Sequence, residues 1–195
     1  MMENLINTIL SHVDDQSLQS ISQKANTSPD QAKHALSNAI PILMNAMAKN
    51  SRDPQGAASL QQAVQKDHNG SILDNLGGFF NNPDAANGSG ILSNVLGPKQ
   101  QDAAEYISKD SGVSETSAHK ILEYAAPLVM GFLGRNSGGG GMGIGNLLSS
   151  FVNNQRQEDP QKQSFLQKLF DMDHDGDIMD DLKEKGESLL GRFMK

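Results

Sequence analysis

The residues whose types and spacing could do chemistry lie in one acidic stretch, Asp171-Met-Asp-His-Asp-Gly-Asp-Ile-Met-Asp-Asp-Leu182. It starts like a calcium loop. Asp171, Asp173 and Asp175 stand at positions 1, 3 and 5, and Gly176 supplies the sharp turn at position 6. Asp177 would offer a backbone carbonyl at position 7, and Ile178 is the apolar residue at position 8. Alternate oxygens in a tight turn converge on one centre, as a hard cation requires. The departure is at position 12, where a bidentate glutamate belongs and Leu182 stands. Asp180 and Asp181 come one or two residues early and close the shell only in a shortened loop. A weaker copy spans Gln65–Leu76, keeping Asp67, Asn69, Gly70 and Asp74 but starting on Gln65.

A second reading needs no ion. Asp and Asn beside Gly are ordinary turn formers, and Ser71/Asp177 or Asp74/Asp180 would cap the following helix. Against it, four carboxylates fall within seven residues of the second loop, and each close pair repels by roughly 1 kcal/mol even in bulk water. A loop lacking the closing glutamate holds Ca2+ weakly, as a static structural ion rather than a tuned sensor. Both readings stay open at this point.

Other chemistry is sparse. With no cysteine, the chain has no disulfide scaffold, thiolate nucleophile, Cys-ligated zinc or iron–sulfur cluster. The five histidines, His12, His34, His68, His119 and His174, form no ligand pair at helical spacing. No nucleophile elbow occurs, and the Gly-rich Ser137–Gly145 lacks the Lys-Ser/Thr ending of a phosphate loop. No enzyme class is indicated. Ile107–Leu122 resembles a helix-turn-helix, but its second helix carries only His119 and Lys120, offset by Glu115 and Glu123. With a net charge of −7, nucleic acid is a poor partner, as is an anionic membrane.

The elements that must position these loops repeat within the chain. Residues 5–50 align with 91–136 without a gap at an offset of 86, with ten of 46 positions identical, including Ile21/Ile107, Ser28/Ser114, Leu36/Leu122 and Pro41/Pro127. The two acidic loops then align at an offset of 106. This order predicts an internal duplication: a unit over 1–82, a linker over 83–90, and a second unit over 91–195 with a Gly-rich insertion at 137–145, the two packing together. The wider stretch 81–90 (NNPDAANGSG) has linker composition.

Each unit reads as short helices. Asn4–His12 and Leu92–Leu96 open them, and Ser17–Lys24 and Asp102–Lys109 follow. Ser28-Pro-Asp-Gln and Ser114-Glu-Thr-Ser then read as helix starts. Ala32, Ala35, Leu36 and Ala39, matched by Ala118, Ile121, Leu122 and Ala125, recur at the spacing of a buried face. Pro41 and Pro127 should kink or interrupt these apolar helices. Ala57–Lys66 adds a helix in the first unit. No alternating β-branched run appears, so the fold class is all-α and multihelical. The most apolar runs, Ala39–Ala48 and Ala125–Gly134, are half the length of a bilayer span, and the N-terminus lacks a basic, signal-like region. A cytoplasmic protein is expected.

At the acidic loops and the Ala-Ile-Pro-Ile-Leu-Met and Ala-Ala-Pro-Leu-Val-Met helices, the chain resembles the YidB-like family of bacterial proteins. The resemblance extends over nearly the whole chain and implies a multihelical, cytoplasmic, non-enzymatic domain with no established activity. It carries over no catalytic residue, and Gln65 and Asn69 depart from the family's loop pattern.

The sequence therefore reads first as a non-catalytic helical scaffold that binds itself or another protein. Nine methionines, which suit adaptable contact surfaces, and an apolar-faced segment over 182–194 motivate this reading. A calcium-responsive binding protein and a helix-turn-helix DNA binder are the alternatives. A cation-holding loop predicts about one calcium per chain in a native mass spectrum of protein purified without chelator. Asp173→Ala with Asp175→Ala should abolish it, whereas a bare chain assigns the loops to helix capping.

Overall fold

The computed structural model describes residues 3–67, 70–137, 143–155, 165–166 and 168–169, and all regular structure among them is helical. In chain order the α-helices are α1 (Glu3–Ser11), α2 (Asp15–Lys24), α3 (Pro29–Asn50), α4 (Pro54–Asp67), α5 (Leu76–Asn81), α6 (Gly88–Leu96), α7 (Gln100–Ser111), α8 (Glu115–Ser137) and α9 (Ile144–Gln155). Short 3-10 turns at Ser71–Asp74, Pro83–Ala86 and Gly97–Lys99 join some of them.

The long helices α3 and α8 pack on each other at the centre, with α1, α2, α6, α7 and α9 around them. Ala32, Ala35 and Ala39 of α3 and Ala118, Ala125 and Ala126 of α8 are fully buried, as are Leu36, Leu43, Leu122 and Leu128 of the same helices. Close approach of two helices favours such residues, because interaxial distance follows the side chains at the crossing. Met44, Met47 and Met130 are buried here, so these three are core filler rather than a partner surface.

Neither proline interrupts its helix. Pro41 lies inside α3 and Pro127 inside α8, and both helices continue past them. An interior proline costs about 3 kcal/mol through one lost hydrogen bond and a clash. A break would cost more. Ile40, Ile42, Leu43 and Met44 are all buried, so backbone groups freed there would have no water to bond.

The hairpins leading into α3 and α8 share their turn geometry. Thr27 N donates to Ser22 O at 2.9 Å, and at the offset of 86 Val113 N donates to Ser108 O at 3.2 Å. Left-handed backbone stands at the same place in both, at Asn26 (φ 53°) and Gly112 (φ 65°). The helix starts match as well. Gln31 N donates to Ser28 Oγ at 3.2 Å and Ser117 N to Ser114 Oγ at 3.0 Å, the N-caps expected from the sequence. At α2 the cap is Asp14, whose carboxylate accepts from Ser17 N at 2.7 Å, and hydrogen bonds from Ser17 lower its pKa.

The stretch joining the predicted units is not an extended spacer. Residues 83–86 form a 3-10 turn and α6 begins at Gly88. Gly88 is there for proximity rather than freedom, since a Cβ would stand 2.1 Å from Glu123 O of α8.

At Gly112 an added Cβ would meet only Gln31 Nε2, at 3.7 Å, so the glycine is required by its backbone angle alone. Gly112→Ala should therefore cost about 1 kcal/mol and lower the melting temperature by roughly 2–4 °C in a thermal melt. Gly112→Asn, the residue its counterpart Asn26 uses, should cost clearly less.

Candidate functional site: the first acidic loop and its cleft

Only part of the predicted site falls on described residues. Asp171, Asp173, Asp175, Asp177, Asp180 and Asp181 lie outside them, as do Asn69 and the apolar segment over 182–194. In the first loop, α4 runs on through Gln65 to Asp67. Among the described residues no three His, Asp or Glu side chains are grouped as a metal site.

After α4 the chain is tied to α8. Gly70 has a left-handed backbone (φ 95°), and a Cβ on it would stand 2.8 Å from Arg135 Cβ. Arg135, near the end of α8, donates from Nη2 to Gly70 O at 3.3 Å and pairs with the Asp74 carboxylate. Its Nη1 lies 3.4 Å from His12 Nε2, which brings the end of α1 to the same point. The one predicted ligand that is fully described is thus matched by a guanidinium. The pair is exposed, which limits it to about 0–1 kcal/mol. Packing does more: Leu73 is buried, and Ile72 lies directly against Gly131 of α8.

The helix after the loop is capped by neither Ser71 nor Asp74. The cap of α5 is Asn75, whose Oδ1 accepts from Gly78 N at 2.9 Å. Below it Phe80 is buried edge-on against Tyr124, with centroids 6.3 Å apart. Beside the loop opens a surface cleft of about 880 Å³, lined by Lys66, Ser71, Asn75, Phe79, Asn82 and Asn87 among others. Chemically it offers carboxamides, a hydroxyl and one ammonium to a polar group.

Elsewhere, α3 and α7 are joined by polar contacts the sequence did not reveal. Asn38 is buried and donates from Nδ2 to Asp110 Oδ2 at 2.7 Å and Ser111 Oγ at 3.1 Å. His34, read from sequence as an inert surface residue, places Nε2 3.3 Å from the same Asp110 oxygen. The helix-turn-helix-like stretch forms the α7–α8 hairpin, whose second helix buries Ala118, Ile121 and Leu122 and leaves Lys120 exposed.

The pattern of bacterial proteins of unknown function called DUF937, of which YidB is a member, matches residues 7–136. The chain belongs to that family. The match ends at the last turn of α8, so the DUF937 region holds the first acidic loop and its Arg135 anchor, while α9 and the second loop follow it. It is shorter than the near-complete extent that the resemblance implied. No curated protein and no solved structure matches the chain.

Gly131 tests whether the loop is docked by packing. A Cβ there would stand 2.4 Å from Ile72 Cγ2. Gly131→Ala should therefore lower the melting temperature, although alanine is normally better than glycine in a helix by about 1 kcal/mol. In an Ile72→Ala background, which removes the opposing methyl, the same substitution should turn neutral or stabilising. A stabilising Gly131→Ala in the parent chain would show that Ile72 does not rest on α8.

Proposed function

We propose that this DUF937 protein is a non-catalytic, cytoplasmic helical interaction module that associates with itself. The supporting observation is what the chain does beyond the family region. After Asn136 it continues into α9, which packs on α3 and α8 with Ile144, Leu148 and Phe151 buried. Further on, Phe165 stacks on Tyr106 of α7, with ring centroids 3.6 Å apart and planes within 10°. Leu166 and Leu169 are buried beside it.

The outer side of α3, α7 and α8 is therefore an apolar face that receives helical segments. Burying a Leu or Phe side chain is worth roughly 1.5–3 kcal/mol, so the five residues buried from outside the family region provide a binding-sized interaction. A face that accepts one apolar helical arm fits a role in assembly.

Light scattering coupled to size exclusion on the full chain should give a mass that is a multiple of 20.9 kDa at micromolar concentration. A mass of one chain throughout that range would overturn self-association.

A further inference from the structure

We propose that the cleft between the end of α4 and the start of α6 binds a saccharide. This goes beyond the self-association reading and does not depend on it. The cleft's volume of about 880 Å³ is that of a small-molecule site. It lies where the first acidic loop, α5 and the turn at Pro83–Ala86 meet.

Its polar lining consists of the carboxamides of Asn75, Asn82 and Asn87, the Ser71 hydroxyl and the Lys66 ammonium. No carboxylate is among the described lining residues. A carboxamide both donates and accepts hydrogen bonds, and so does a sugar hydroxyl, so such a wall satisfies a polyol whichever way its hydroxyls turn. Ala85 and Ala86 complete that side with short side chains, which let a ring approach closely.

Carboxamides also pair with the main chain of a peptide. An extended peptide, however, draws its specificity from pockets for alternate side chains. The large apolar residues of this cleft are engaged elsewhere. Phe79 is buried with its ring centroid 4.7 Å from that of Phe80, and Ile72 rests on Gly131 of α8. With few apolar contacts left to offer, the lining favours the polyol.

Asn87 is the residue whose geometry the fold alone does not explain. Its backbone is left-handed (φ 51°), an angle costly for a side-chain-bearing residue, and the next residue is Gly88, wedged against Glu123 O of α8. Although Asn87 stands at the N-cap of α6, its side chain makes no capping hydrogen bond. Asn75 differs, since its Oδ1 accepts from Gly78 N at 2.9 Å. Both carboxamides lie over a glycine three residues on, Gly90 and Gly78, where a Cβ would strike them. Room is thus kept for the Asn87 side chain, which does not cap its own helix and lines the cleft instead. Unfavourable backbone held in place by its surroundings is found at ligand sites. The stretch over 81–90, whose composition reads as a spacer, supplies Asn82, Ala85, Ala86 and Asn87 to this wall.

Saturation-transfer NMR on the full chain, with maltotriose, chitotriose and triglycine as separate probes, tests the proposal. Maltotriose offers hydroxyls, chitotriose adds acetamido groups, and triglycine offers main-chain amides without hydroxyls. Transfer to either sugar, above that to triglycine, is expected. Asn87→Gly removes the carboxamide but keeps the left-handed backbone, so the sugar signal should fall severalfold with no drop in melting temperature. Ala85→Trp, at an exposed position, fills the cleft without removing a polar group and should abolish the signal. Silence from both sugars at millimolar concentration overturns the proposal, as does a triglycine signal equal to or above theirs. Sugar signals that survive either variant unchanged place binding elsewhere and overturn this site.

Discussion

The rest of the structure depends on the close packing of α3 against α8. Both helices carry fully buried alanines, and buried Leu, Ile and Met complete the core around them. With aromatics at only 5% of the chain and no tryptophan, the core cannot be filled by a few large rings, so a tight crossing of small residues is the available solution. This crossing also explains why the prolines are tolerated. The cost of each is local, whereas the packing on either side of it extends over the whole length of the helix.

Gln31 shows how local and distant requirements meet in one residue. Its backbone N–H and side-chain oxygen complete the cap with Ser28, and its Nε2 donates to Gly112 O at 2.8 Å. The left-handed turn that ends α7 is thus held by the residue that starts α3. A few residues along each helix, Asn38 binds Asp110 and Ser111 in the same interface. Polar contacts of this kind add little net stability but penalise sliding, because a shift would leave the buried Asn38 amide without its partners. The apolar crossing holds α3 and α7 together, and these side chains select their alignment.

What was legible in the sequence was local. The Ser28 and Ser114 caps, the buried alanine-leucine faces and the all-α class follow from spacing within a few residues, and the structure has them. Features set by distant contacts were not legible. Nothing near Arg135 in sequence marks Asp74 as its partner 61 positions away, and nothing near Tyr106 marks Phe165. The stretch over 81–90 misled for a related reason. Gly, Asn and Pro signal a spacer, yet Gly88 serves to let α6 approach the backbone of α8, and composition does not distinguish freedom from proximity.

The first acidic loop belongs to this same class. Its Asp-Asn-Gly composition resembles a cation site because turns and cation sites draw on the same small polar residues. Charge alone does not separate the two, since a carboxylate is stabilised by a guanidinium as by a metal. At the start of this stretch the described backbone is helical, since α4 runs through Gln65 to Asp67. The loop then rests Ile72 on a glycine of α8 and caps the next helix with Asn75. Among the described side chains of this turn the Asp74 carboxylate meets a positive charge, and that charge comes from the same helix on which the loop packs. Docking the turn and neutralising it are therefore a single event, built from Gly131 and Arg135 one helical turn apart on α8.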